Sequence, residues 1–445
     1  MKKNILILLL CLGIAIAFVG CDKAAETEVA EDAKIEAVLE TSLISVEELT
    51  VKLAEENVKV LDTRASFIFN GWNGANGQAG GHIPGAINFS ASWLSKFEND
   101  EAIVKELERI TVKVENEIVV YGAESSSVVA KLTALGYKEA KVLDGGFEAW
   151  TSASNEVSKL ENYEMLVHPE WVNGLIVGEE VEGYEGSKFM IFEASWGQGE
   201  GYEKGHIPGA VHINTDEFEE EPIWNRKSDA DIEAAILANG ITKDTTVIVY
   251  GPDATPAARI AVILKYAGVE DIRLLDGGYN GWVDAGFEIE TGKVEKTAVA
   301  EFGATIPVNK DYIIDMEEAK DVLAKEDGNL ISIRSWPEFV GETSGYSYIE
   351  PKGRITGAVF GQDTADYRNV DGTMFNYELM EKQWSAKSID EGEQNAFYCG
   401  TGWRAAETLF YADLMGWENI SLYDGGWYEW SSIEGNPTEV GEPQQ

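Results

Sequence analysis

One cysteine, followed closely by two glycines and an arginine in Cys399-Gly400-Thr401-Gly402-Trp403-Arg404, gives this 445-residue chain the means to do covalent chemistry. A thiolate is a strong nucleophile, and a thiol sheds its proton easily where backbone N–H groups and a helix N-terminus face it. Gly400 and Gly402 ease a tight loop whose N–H groups turn inward. Arg404 adds a permanent positive charge beside any anion that Cys399 attacks. Such a loop has to be held between rigid elements. Asn395-Ala396-Phe397-Tyr398 is short, apolar and aromatic, the pattern of a buried strand. Ala405 to Leu414 carries Ala406, Leu409, Phe410 and Leu414 at helical spacing. The expectation is a thiol at the C-terminal end of a strand, facing the N-terminus of a helix. A free cysteine taken alone is most often a buried small hydrophobe; the glycines, the strand–loop–helix setting and Arg404 together favour a site.

The remaining two cysteines stand apart from this chemistry. Lys2 and Lys3 precede an apolar run from Ile5 to Val19, too short to span a bilayer and patterned as an export segment. Ala17-Phe18-Val19-Gly20-Cys21 is similar to the lipobox of bacterial lipoproteins, which implies cleavage before Cys21 and lipid on its sulfur. Residues 1–20 are then an export signal and 21–40 an acidic, Ala/Glu-rich tether. The expected location is the cell envelope or periplasm, with the protein held to a membrane by lipid on Cys21. Cys11 lies in the removed segment, so Cys399 alone stays a free thiol. That excludes a disulfide framework and any mechanism with a second, resolving cysteine in the chain.

The rest of the chain is too long for one core, and it repeats. Asp144-Gly145-Gly146-Phe147-Glu148-Ala149-Trp150 recurs as Asp276-Gly277-Gly278-Tyr279-Asn280-Gly281-Trp282 and as Asp424-Gly425-Gly426-Trp427-Tyr428-Glu429-Trp430. Upstream, Gly81-His82-Ile83-Pro84-Gly85-Ala86 recurs as Gly205-His206-Ile207-Pro208-Gly209-Ala210 and, altered, as Gly353-Arg354-Ile355-Thr356-Gly357-Ala358. Between these marks each copy has an apolar strand that ends in Tyr121, Tyr250 or Tyr398. Strand-like stretches (Lys59 to Asp62, Glu117 to Tyr121, Lys141 to Leu143) alternate with helix-like ones such as Ser45 to Glu55. That alternation predicts three tandem α/β units, each a largely parallel sheet flanked by helices, at residues 41–158, 159–300 and 301–440. Ligands of such sheets sit beyond the strands' C-terminal ends, which is where Cys399 falls. Trp150, Trp282 and Trp430 are read as packing anchors.

These marks, with the strand–Cys-x-x-Gly-x-Arg loop, resemble rhodanese-like sulfurtransferases across all three units, from Leu43 to Gly435. The three-unit layout with an export segment is most similar to the periplasmic three-domain rhodaneses of enteric bacteria. The resemblance implies transfer of a sulfane sulfur through a persulfide on Cys399, with thiosulfate or a related small anion as donor and a thiol, cyanide or a protein as acceptor. It implies no cofactor. It places Gly400, Thr401, Gly402, Trp403 and Arg404 around the sulfur. Gly122 and Gly251 stand where unit three has Cys399, so units one and two are expected to be catalytically silent. Unit three also departs from the pattern: Ser332-Ile333-Arg334 replaces Asp62-Thr63-Arg64, and Arg354 replaces the usual histidine. Arg334 and Arg354, with Lys352, are candidates for recruiting the anion. Four residues separate Cys399 from Arg404, one fewer than in the Cys-x5-Arg cradle of related phosphatases, and a tighter loop suits a single sulfur atom.

A formal net charge of −43 argues against nucleic acid as a partner, and the four scattered histidines suggest no metal site. The alternative to a turnover enzyme is a scaffold that holds a persulfide for a dedicated partner.

Overall fold

The computed structural model describes residues 43–443; the export segment, the tether and Cys21 lie outside them. Three five-stranded sheets follow one another with the same strand order, the second strand of each unit lying between the third and fourth. In unit one, Val58–Asp62 lies between the central strand Glu117–Tyr121 and the edge strand Ile87–Asn88, all parallel. In unit two, Phe189–Ser195 lies between Thr246–Tyr250 and Val211–Asn214. In unit three, Gly328–Ser332 lies between Gln394–Tyr398 and Val359–Phe360. The expected strand Glu117 to Tyr121 is matched in full, the other expected strands each begin one residue earlier than expected, and the expected helix near Ser45 is Val46–Lys52, capped by Ser45.

The repeated motifs have one job in each unit. Trp150, Trp282 and Trp430 are buried, and their indole N–H groups donate to the carbonyls of Glu156, Glu288 and Pro437 at 2.8, 2.9 and 3.0 Å. The strand-ending tyrosines brace the second mark: Tyr121 and Tyr250 hydroxyls accept from the N–H groups of Ile83 and Ile207 at 3.1 and 3.0 Å. His82 stacks on Phe69 and His206 on Tyr202, at centroid distances of 3.7 and 4.0 Å. Arg354 occupies the equivalent backbone position, bridging to the strand Thr438–Glu439 as His82 bridges to Ser158. Its guanidinium lies 4.9 Å from the Phe339 ring centroid and takes over the stacking role.

The units are welded together. The helix Ala254–Ala267 of unit two is buried on nearly all sides, as its almost unbroken apolar run requires. It packs along the helix Trp403–Leu414 of unit three. Unit one is held by the long segment that unit three inserts before its fourth strand: His82 meets Glu378 at 3.1 Å and the Trp93 indole donates to Asp371 at 2.6 Å.

Candidate active site

Cys399 follows the strand Gln394–Tyr398 and is fully buried. The loop turns back so that the Gly402 N–H donates to its sulfur at 3.1 Å. Gly402 has φ of 100°, a conformation in which a side chain is strained, and it caps the twelve-residue helix Trp403–Leu414. The sulfur thus faces a backbone donor at the positive end of a helix dipole. The Asp-Gly-Gly turn supports the loop from below: Trp427 N–H donates to the Cys399 carbonyl at 2.8 Å and Tyr428 N–H to that of Gly400 at 3.0 Å. Tyr346 covers it from above, its ring so close to Gly400 that a Cβ there would overlap it. Burial, and then the nearby Cys399 charge, push the Tyr346 phenol above its ordinary pKa, so it stays protonated.

Arg404 is not a free cation. It grips Glu338 through both terminal nitrogens, at 3.0 and 2.8 Å, meets Asp363 at 2.7 Å and donates to the Tyr346 hydroxyl at 3.0 Å. Arg334 explains why Glu338 is there. In unit one Arg64 forks onto Asp62; the counterpart of Asp62 is Ser332, which cannot pair. Arg334 therefore turns to Glu338, 3.5 Å away, and to the Gly353 carbonyl at 2.7 Å. The result is an alternating chain, Arg334–Glu338–Arg404–Asp363, that ends beside the sulfur loop. Burial alone would raise Glu338, but Arg404 and Ser335 outweigh it and hold its carboxyl at about 2. A depressed carboxyl stabilises the fold above its ordinary value of 4.5, and that stability is lost as pH falls toward 2. Glu338→Gln should therefore flatten the acid limb of a pH–stability curve between about pH 4.5 and 2, by about 3 kcal/mol at most; urea midpoints across pH check it.

The sequence reading took Arg354 and Lys352 as anion recruiters, and the structure gives them other partners. Arg354 donates to the Gly441 carbonyl at 2.6 Å and pairs with Glu439 at 2.9 Å, while Lys352 bonds the Glu342 carbonyl at 3.0 Å. Both tie backbone together. Arg334 is buried behind Glu338, so its charge acts on the loop only through that chain. Neither Arg334 nor Arg354 lines the cavity beside the loop, whereas Thr401, Trp403 and Arg404 do.

That cavity has a volume of about 590 Å³ and lies between units two and three. Tyr346 and Tyr348 come from unit three, and Trp196, Glu219 and Trp224 from unit two. None of these five was singled out by the sequence. The Tyr-x-Tyr pair in Gly345-Tyr346-Ser347-Tyr348 was the one local hint; the unit-two residues carry no motif and reach the site only through the docking of two units. Glu219 is buried, accepts from the Trp403 indole at 2.7 Å and pairs with Arg259 at 3.1 Å. Burial pushes its carboxyl up to about 7 against these partners.

At the positions equivalent to Cys399, units one and two carry glycines in tight surroundings. A Cβ at Gly122 would stand 2.8 Å from the Arg64 side chain, and one at Gly251 2.7 Å from the Ala194 carbonyl.

Comparison with known proteins identifies the family. The family model described as the rhodanese-like domain matches residues 45–153, 186–285 and 315–433. The chain is 42% identical over 400 residues to the thiosulfate sulfurtransferase YnjE of Escherichia coli K12, covering 88% of this chain and 91% of that protein. Among solved structures, wild-type EanB superimposes with a TM-score of 0.86 at 39% identity, covering 91% of this chain and 99% of that one. The anaerobic ergothioneine biosynthesis enzyme from Chlorobium limicola, in complex with its natural substrate trimethyl histidine, gives 0.85 at 39%, covering 90% and 100%. An EanB variant holding ergothioneine covalently linked to a persulfide cysteine gives 0.86 at 39%, covering 91% and 100%.

Proposed function

The chain belongs to the rhodanese-like family of sulfurtransferases, and from that premise we propose that it moves a sulfane sulfur from thiosulfate, or a donor like it, through a persulfide on Cys399. The observation that carries this reading is the sulfur's position, 3.1 Å from a backbone N–H at the start of a long helix. The Cys399 thiolate attacks the outer sulfur of thiosulfate; the S–S bond breaks and sulfite leaves with the electron pair. A nucleophilic acceptor then attacks the outer sulfur of the persulfide, and the Cys399 sulfur departs as a thiolate. In both half-reactions negative charge rests on the same sulfur, so the Gly402 N–H and the helix end serve each of them. Exposure to thiosulfate followed by mass spectrometry should find one added sulfur atom, on the peptide containing Cys399. Steady-state turnover with cyanide separates an enzyme from a persulfide carrier that serves one dedicated partner.

The cavity favours one refinement. Five indole and phenol rings with a buried carboxylate form a lining suited to a flat or cationic organic molecule. The neighbouring enzyme from Chlorobium limicola takes trimethyl histidine. We read the acceptor as a small organic cation with an aromatic ring. Persulfidated protein mixed with trimethyl histidine should lose its added sulfur faster than with an equal concentration of histidine. Equal rates would return the acceptor to simple thiols or cyanide.

The protein is further proposed to be exported and anchored by lipid on Cys21, on the strength of the lipobox-like stretch ending there. Cys21→Ala should end metabolic labelling with lipid and release the protein from the membrane fraction; unchanged labelling refutes the anchor.

A further inference from the structure

Arg259 has no role in the persulfide scheme, yet it is fully buried at the centre of the unit two–unit three junction. It stands on the largely apolar and deeply buried helix Ala254–Ala267, where an unpaired guanidinium would be costly. Its partners lie on a hairpin of unit two, Glu219 to Arg226, and on Asp424 of unit three. Nε donates to Glu219 at 3.1 Å, Nη2 donates to the Trp224 carbonyl at 3.2 Å, and Nη1 lies 2.6 Å from an Asp424 carboxylate oxygen. Asp424 opens the turn whose N–H groups hold the Cys399 and Gly400 carbonyls. Its other oxygen accepts the Arg226 N–H at 2.7 Å. Nη1 also fills the space beside the loop, 3.1 Å from the position a Cβ on Gly402 would take. Gly402 is the residue whose N–H meets the sulfur. Through Glu219 the same cluster fixes the indole of Trp403, the next residue along.

We infer that Arg259 of the silent middle unit is a positioning residue for the sulfur loop, acting through Asp424, Gly402 and the Glu219–Trp403 bond, so that unit three's site is incomplete without unit two. The inference rests on the reading of Cys399 as the sulfur carrier. It accounts for a second unit that has lost its own cysteine and still packs its most buried helix against the catalytic one. Glu219 is the reporter of this cluster. The groups facing it are Arg259 from its own unit, and Asp424, Trp403 and Tyr348 from unit three. When Glu219 ionises, near pH 7, negative charge enters the cavity that an anionic donor must approach.

The test measures single-turnover persulfide formation and steady-state kinetics across pH on the full chain. In the wild type, KM for thiosulfate should rise as pH increases through about 7, and Glu219→Gln should remove that rise. Arg259→Gln should lower kcat by roughly 10- to 100-fold, the scale of a loop displaced by about 1 Å. It should also move the KM inflection upward, since Glu219 loses its cation. Arg259→Lys should recover part of the rate, because a point charge cannot reach all three partners as the planar fork does. Lys265→Met breaks an inter-unit ion pair to Asp413, on the same helix but apart from the loop, and should keep wild-type kcat. Wild-type kcat and inflection in Arg259→Gln overturn the inference, as does an equal loss in Lys265→Met. Should Arg259→Gln not fold, Arg259→Lys decides: wild-type kcat in that variant overturns it. A wild type that gains no sulfur on Cys399 overturns instead the sulfur-carrier reading beneath it.

Discussion

Cys399→Ser should abolish sulfur transfer while the protein remains folded. Serine is nearly isosteric and its hydroxyl can accept the Gly402 N–H that the sulfur accepts now, so the loop keeps its shape. The hydroxyl is a poor nucleophile at neutral pH and forms no persulfide. Neither of the other units can compensate, because Gly122 and Gly251 occupy the equivalent positions and are hemmed in by Arg64 and the Ala194 carbonyl. The expected result is no added sulfur after thiosulfate exposure and turnover at background, with a melting temperature near that of wild type. Turnover retained at the wild-type level would sink the assignment of unit three as the working site.

The second large effect is that of Arg404→Ala, and the structure changes its meaning. Read from the sequence, Arg404 is a lone cation beside an anion, and its loss costs one charge-assisted contact, roughly 10- to 100-fold in kcat/KM for thiosulfate. In the fold it neutralises Glu338 and Asp363. Its removal leaves Glu338, whose side chain is 4% exposed, with the Ser335 hydrogen bonds and a single cation, Arg334 at 3.5 Å. Breaking a buried pair on one side typically costs about 3–5 kcal/mol, so the variant should lose stability as well as rate. Arg404→Lys should recover little of either, because its ammonium cannot fork across the Glu338 carboxylate. Glu338→Gln should act in the opposite sense on binding. It leaves Arg404 with Asp363 alone, and KM for thiosulfate should fall. Charge changes on the outer surfaces of units one and two, away from Glu219 and Arg259, should matter far less, with effects that fade as salt screens beyond about 8 Å. Urea midpoints together with kcat/KM over an ionic-strength series separate these contributions. An Arg404→Ala protein with wild-type stability and rate would show that the ion-pair chain does not govern the loop.

Much of the site was legible because it is local. A strand, two glycines and a helix adjacent in sequence place Cys399, and the Asp-Gly-Gly and Gly-His-Ile-Pro-Gly-Ala marks announce three copies of one fold. The errors arise where direction matters. Arg354 is a charge in the sequence, but whether it points to the sulfur or to Glu439 depends on the antiparallel pairing with Thr438–Glu439. The exchange of Asp62 for Ser332 reads as a lost ion pair; only the fold reveals Glu338 as the replacement, from a short helix (Trp336–Phe339) beyond the strand. Trp196, Glu219, Trp224 and Arg259 come from a unit that looks dispensable by its missing cysteine. Their contribution depends on how two helices pack, which no local spacing encodes.

The Tyr346 ring lies over Gly400, and Cys399 has no solvent-exposed surface. A sulfur stored there is sealed from the medium. Stray thiols that would strip an open persulfide cannot reach it until the tyrosine or the loop gives way, so the loaded protein should have a long shelf life without its acceptor. The event that unseals it then sets the order of the reaction: the acceptor has to engage the cavity before the sulfur is released. A cover of this kind turns a chemically indiscriminate electrophile into a cargo handed over only to the molecule that opens the door.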